Sequence, residues 1–125
     1  MAKSNNGLEY HHTGIPTQGP LPNGTYDDKD KLTCSGYFDS VFGIEWMMFD
    51  EDSPLPEIIK TVPHVAFKVN DLAEAIKDKE LIWGPNSPAE HVTVAFIVEN
   101  GAPIELLQFD RPESEIWPHD RKFKL

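Results

Sequence analysis

Two kinds of side chain, imidazole and carboxylate, recur along this chain at intervals that suit a metal centre. His64 lies in the stretch 62–76, VPHVAFKVNDLAEAI, and the stretch 10–17, YHHTGIPT, offers His11 and His12. Glu45 and Glu105 each follow an isoleucine, in Ile44-Glu45 and Ile104-Glu105. His64 comes 52 positions after His12 (64 minus 12) and Glu105 comes 60 after Glu45 (105 minus 45), as equivalent places in duplicated units would. Two imidazoles and two carboxylates on inward faces of neighbouring strands make an N2O2 ligand set, which suits a borderline divalent metal with room for water. The same four residues in a metal-free binding protein would form a hydrogen-bonded polar cluster.

The elements that must carry these residues follow from periodicity. Val65, Phe67 and Val69 alternate with His64, Ala66 and Lys68, so His64 points away from Val65 and Phe67. Asp71 and Glu74 have capping-box spacing, and Leu72, Ala75 and Ile76 have helical spacing, so the strand leads into a helix over 72–79. A first strand is expected over 8–15. Residues 16–30, PTQGPLPNGTYDDKD, hold three prolines and two glycines and should form no helix. Strands are expected within 32–37 and 38–49, and then a linker, 50–61, with one helical turn at 56–60. The second half continues with a short strand at 80–83, a Pro- and Asn-rich turn at 84–90, a strand at 92–98, an Asn100-Gly101 hairpin turn and a strand at 102–109. Trp117, His119 and Phe123 belong to a tail without period. If Glu45 faces inward, so do Met47 and Phe49, and if Glu105 does, so do Leu107 and Phe109, which gives an apolar substrate pocket. Trp46 and Met48 then belong to a core under the sheet. His11 should face away from His12, and Lys68 shares the face of His64, where it binds an anionic substrate or ends the strand in solvent.

The stretches resemble the vicinal oxygen chelate superfamily, of glyoxalase I, bleomycin-resistance and dioxygenase type, with motifs similar to those of glyoxalase I and methylmalonyl-CoA epimerase. His12-Thr13-Gly14-Ile15 is similar to the family's first strand, His-x-Gly-Ile, which selects His12 over His11. Residues 62–76 look like the opening of a second module, and 43–55 and 101–109 are similar to the strand that closes each module. The resemblance implies an α+β fold in which two βαβββ-like modules form a curved mixed sheet around a metal cup. One domain spans 1–125, with a first module at 8–49, a linker at 50–61, a second module at 62–109 and a tail at 110–125. The breakers at 16–30 imply a shortened first module without its helix. The family's four ligand positions fall on His12, Glu45, His64 and Glu105, implying one divalent ion (Zn, Ni, Co, Mn or Fe) and a homodimer. The implied function is a metal-dependent lyase or isomerase of glyoxalase-like type. It would act on a small carbonyl or hydroxy compound through a metal-stabilised enediolate, with Glu45 or Glu105 moving the proton. The alternative is a non-catalytic small-molecule binding or sequestering protein of the bleomycin-resistance type.

Bulk properties narrow the partners. A chain of 125 residues suits one domain with a modest core. The formal net charge of −10 repels phosphate backbones and anionic lipid, which argues against nucleic acid and membrane partners. No apolar run approaches the ~20 residues of a membrane span. The opening residues lack a secretory pattern and Cys34 stands alone, so a cytoplasmic protein is expected.

Overall fold

The computed structural model describes residues 7–116. In chain order the elements are β1 (Glu9–Pro16), β2 (Thr25–Asp27), β3 (Leu32–Ser35), β4 (Ile44–Phe49), α1 (Glu57–Thr61), β5 (His64–Lys68), α2 (Leu72–Ala75), β6 (Glu80–Ala89), β7 (Val92–Glu99) and β8 (Ala102–Phe109). Short 3₁₀ turns lie at Tyr37–Asp39 and Glu113–Glu115. All eight strands join one mixed sheet, curled into a half-barrel, in the order β2-β3-β4-β1-β5-β8-β7-β6. This is an α+β, mostly-sheet arrangement of the kind expected for two βαβββ-like modules.

The order is the same when read from the centre outward in either direction, and the registers carry the repeat further. Thr13 and Gly14 of β1 face Ile44 and Glu45 of β4 in a parallel pair. Val65 and Ala66 of β5 face Ile104 and Glu105 of β8 in the equivalent pair. One step outward, Cys34 pairs with Met47 and Val94 with Leu107. The offset between halves is 52 on the first strand and 60 on the third and fourth. The first half therefore lacks 8 residues (60 minus 52) between β1 and β3, where the second half holds α2 and the ten-residue β6.

The missing residues leave a mark on the outer face of the sheet. In the second half α2 packs Leu72 and Ala75 over Ala95, Ile97 and Leu106, and Asp71 caps it by accepting from the Glu74 amide at 3.2 Å. The helix is one turn shorter than the sequence predicts, ending at Ala75. No helix occupies 16–30, as expected. Trp46 is the first-half counterpart of Leu106. It is 42% exposed where Leu106 is 3%, so the expectation of a core around Trp46 fails for want of a covering helix.

The inner face is a packed core. Leu32, Met47, Val94, Phe96 and Leu107 are fully buried there, and α1 from the linker lays Ile59, also fully buried, among them. Burying a side chain of that size contributes about 1.5–3 kcal/mol. The expected turn at 84–90 is instead part of β6, whose pairing with β7 shifts register three times. These irregularities let an edge strand absorb Pro85 and Pro88, which have no amide to donate. The β7–β8 turn is Asn100-Gly101, both at positive φ, as the two-residue hairpin requires. No helix among the described residues is long and apolar enough to cross a membrane. Expectations for Trp117, His119 and Phe123 lie outside the described residues.

Candidate metal centre

The four central strands bring the predicted ligands together. His12 on β1 and His64 on β5 belong to the antiparallel pair at the middle of the sheet. Glu45 on β4 and Glu105 on β8 flank them through the matched parallel pairs. All four side chains face inward and none is more than 1% exposed. Glu105 Oε1 lies 3.0 Å from His12 Nε2 and 2.9 Å from His64 Nε2, while Glu45 Oε1 is 3.7 Å from His12 Nε2. His12, His64 and Glu105 each offer one donor atom within 4.8 Å of the others, so the three could converge on one ion.

Gly14 explains part of this geometry. It pairs with His64 across the β1–β5 ladder, and the His64 ring lies over it. A Cβ at Gly14 would overlap the ring at Cε1 and approach Nε2 to 2.8 Å. Glycine at the third place of His-Thr-Gly-Ile is what lets one histidine of the pair lie across the other's strand.

The electrostatics call for a cation. Burial pushes Glu45 well above its ordinary 4.5, and the charge on Glu105 pushes it further. Burial also raises Glu105, but the charge and hydrogen bonds of His12 and His64 outweigh it and hold this carboxyl to about 2. His12 is lowered by burial, against the pull of Glu105, toward the neutral imidazole that ligates metals. Among the described residues, Glu45 Oε1, Glu105 Oε2 and His64 Nδ1 are buried without a hydrogen-bond partner. Buried carboxylate oxygens without donors are destabilising in an apolar core, and a divalent ion satisfies them. The donor set fits.

His11 corrects the sequence reading. A β-bulge between Tyr10 and His12 turns both histidines inward, so His11 is 8% exposed and its Nδ1 lies 2.7 Å from His12 Nδ1. Gly43 permits the bulge, since a Cβ there would meet the His11 carbonyl at 2.8 Å. The far nitrogen of His11, Nε2, lies 2.9 and 3.0 Å from the two oxygens of Glu113 and 2.8 Å from the Tyr37 hydroxyl. The hydroxyl donates to Glu113 at 3.0 Å. Strict alternation hides this contact from the sequence. The only signal was the doubled histidine beside a strand glycine.

The predicted substrate pocket is divided by the structure. Met47 and Leu107 are fully buried core residues with no surface to offer a ligand, because α1 fills the inner face beside them. Phe49 and Phe109 are partly buried at the rim of that core. Lys68 is at the end of β5, 3.7 Å from Glu9 and 5.6 Å from the centre of the Phe109 ring. A depression of about 620 Å³ includes Phe49, Asp50, Glu57 and Lys60. Another of about 390 Å³ is lined by Tyr10, His11, Tyr37, Phe38 and Phe42 and comes nearest to His12 through His11.

No protein-family model and no curated protein matches the chain. Among solved structures it is similar to methylmalonyl-CoA epimerase from Mycobacterium tuberculosis, with a TM-score of 0.53 and 18% sequence identity. The match covers 92% of this chain and 95% of that one, so the likeness runs through both halves of the sheet. At that identity what the two share is the fold.

Proposed function

We propose that the chain holds one divalent ion on His12, Glu45, His64 and Glu105 and acts as a metal-dependent lyase or isomerase on a small carbonyl or hydroxy compound. The observation that carries this is a buried pair of carboxylates, at matched registers of a duplicated sheet, compensated among the described residues only by imidazoles. A bound divalent ion supplies Lewis-acid polarisation of a carbonyl and stabilises negative charge on the neighbouring oxygen. The two glutamates divide the remaining work. Glu105 is anchored by both imidazoles and serves as a fixed ligand. Glu45 approaches His12 at 3.7 Å and its basicity is raised by burial, so it is the carboxylate suited to take a proton from carbon and return it. The fold neighbour is named an epimerase, and proton transfer beside a carbonyl is the reaction type carried over. Its CoA ester is not, since the net charge of −10 and only two arginines, Arg111 and Arg121, suit a phosphate-bearing ligand poorly.

A second reading is favoured by burial: the ligands are at most 1% exposed and Met47, Leu107 and Ile59 fill the same face, which suits a protein that holds the ion or a ligand without turnover. Metal analysis of the purified protein should give one divalent ion per chain, and His64→Ala should lose it. A variant that keeps full occupancy in chelator would refute the site. Solvent deuterium entering a 2-oxo or 2-hydroxy compound under metal-replete conditions separates the readings, and no exchange across a broad panel leaves the non-catalytic one.

A further inference from the structure

Large apolar side chains stand exposed almost entirely on one half of the sheet. Among the described residues they are Tyr10, Tyr26, Val41, Phe42 and Trp46, all before α1, and then only Leu81. The ladder registers gather most of them on the outer face. Ser35, Trp46 and Ile15 form a row across β3, β4 and β1. Thr33 and Met48 lie beside it on one side, continued by Tyr26 on β2, and Ile44 and Thr13 lie on the other. Tyr10 pairs with Phe67, which packs in the cluster beneath α2 and so marks the same face. The Tyr10 hydroxyl donates to the Phe42 carbonyl at 2.7 Å, which joins the loop of Val41 and Phe42 to this strip.

We propose that the strip is an interface between two copies of the chain, packed outer face on outer face about a two-fold axis with Trp46 near its centre. The inference is independent of the metal reading.

Charge selects the occupant. None of the nine residues in the three rows and at Tyr10 is charged, in a chain where 26% of residues are and the formal net charge is −10. A cationic partner would be drawn to the acidic surfaces elsewhere and would find no carboxylate here. A second copy carries the same −10, and it can come into contact only where no like charges meet, which is this strip. A two-fold contact also needs a surface complementary to itself. Here apolar rows alternate with the hydroxyls of Thr13, Thr33 and Ser35, so each Trp46 indole N–H, a donor without acceptor capacity, finds acceptors on the other copy. Half-exposed tryptophan is the residue type that most often anchors such contacts. The second half has no need of a partner, because α2 lays Leu72 and Ala75 over Ala95, Ile97 and Leu106. The second copy does for Trp46 what α2 does for Leu106. Strands about 4.8 Å apart make a strip three strands wide a small interface, so the dimer dissociates on dilution through the micromolar range.

The test is sedimentation velocity on the full chain, in chelator so that no bound ion enters. The 14.1 kDa monomer should give way to a species of twice that mass as concentration rises. Added NaCl should tighten the association, because salt screens the repulsion between the two chains and has no ion pair to weaken in the strip. Trp46→Glu sets like charges across the axis and should raise the dissociation constant about 30-fold or more. Ser35→Glu, opposite Trp46 in the β3–β4 ladder, should do the same and serves if the tryptophan variant fails to fold. Leu81→Glu, equally exposed but in the other half, should leave the constant unchanged. A wild type that stays monomeric at every concentration and salt would leave the face to a different occupant and overturn the proposal. A dimer that survives the folded glutamate variants, or one that salt dissociates, would place the interface elsewhere and overturn it too.

Discussion

Glu45→Gln in the metal-free protein tests the electrostatic account most directly. Glu45 has its folded-state value raised well above 4.5 by burial and by Glu105. The stability of the protonated, buried carboxyl is therefore fully present below pH 4.5 and is lost as pH rises toward the folded value, because the unfolded chain gives up its proton first. Each pH unit between the unfolded and folded values costs up to about 1.4 kcal/mol, so the wild type should lose stability through this residue as pH rises above 4.5. Glutamine has the same shape and no proton to hold, so its contribution is flat. His12 works in the opposite sense: its lowered value destabilises the fold as pH falls below 6.5. Glu105, held to about 2, gives stability above 4.5 that is lost only as pH falls through that low value. Both are present in the two proteins, so the difference between wild type and variant isolates Glu45. Urea unfolding in chelator at half-unit steps from pH 5 to 7 gives that difference. The variant should gain on wild type steadily as pH rises, and Zn²⁺ should reverse the order, because the ion binds a carboxylate that glutamine lacks. Parallel curves for the two proteins would refute the claim that Glu45 is buried without a compensating charge.

Further outcomes are fixed by the same geometry. Gly14→Ala places a methyl group inside the His64 ring, so it should destabilise the fold by about 1–3 kcal/mol and also abolish stoichiometric metal, read by thermal melts and metal analysis. Under metal-replete conditions Glu45→Gln should retain the ion but slow solvent deuterium exchange into substrate by ~10²- to 10⁴-fold, whereas Glu105→Gln should lose the ion itself. Asp71→Ala removes the cap of α2 on the outer face and should cost about 1 kcal/mol without altering metal content, a control for nonspecific loosening.

Spacing along the sequence singled out His12, Glu45, His64 and Glu105 because the repeat made the pattern visible twice: offsets of 52 and 60 carry the β1–β4 register onto the β5–β8 register. The helix-free crossover was legible from Pro16, Pro20 and Pro22, and the hairpin from Asn100-Gly101. What escaped depended on contacts made after folding. His11 turns inward because β1 bulges against Gly43, and alternation has no term for an inserted residue. Met47 and Leu107 face inward as predicted, yet they meet Ile59 rather than a ligand, because nothing in the linker sequence says where its short helix will lie. Trp46 is exposed through the absence of a partner, which a local pattern cannot register.

The strand order also determines when the centre can assemble. β7 and β8 are joined by two residues and can zip locally, but β1 lies between β4 and β5, and Thr13 finds its partners at Ile44 and Val65. Those pairings close long loops before any contact rewards them, so they come late and slowly. The four candidate ligands sit on these late strands, two from each half, and neither half alone holds a complete set. An ion held there would have no site to grip until the two halves had joined, so its effect would belong to the unfolding step: it would lengthen the life of the finished protein and leave the rate of its making unchanged.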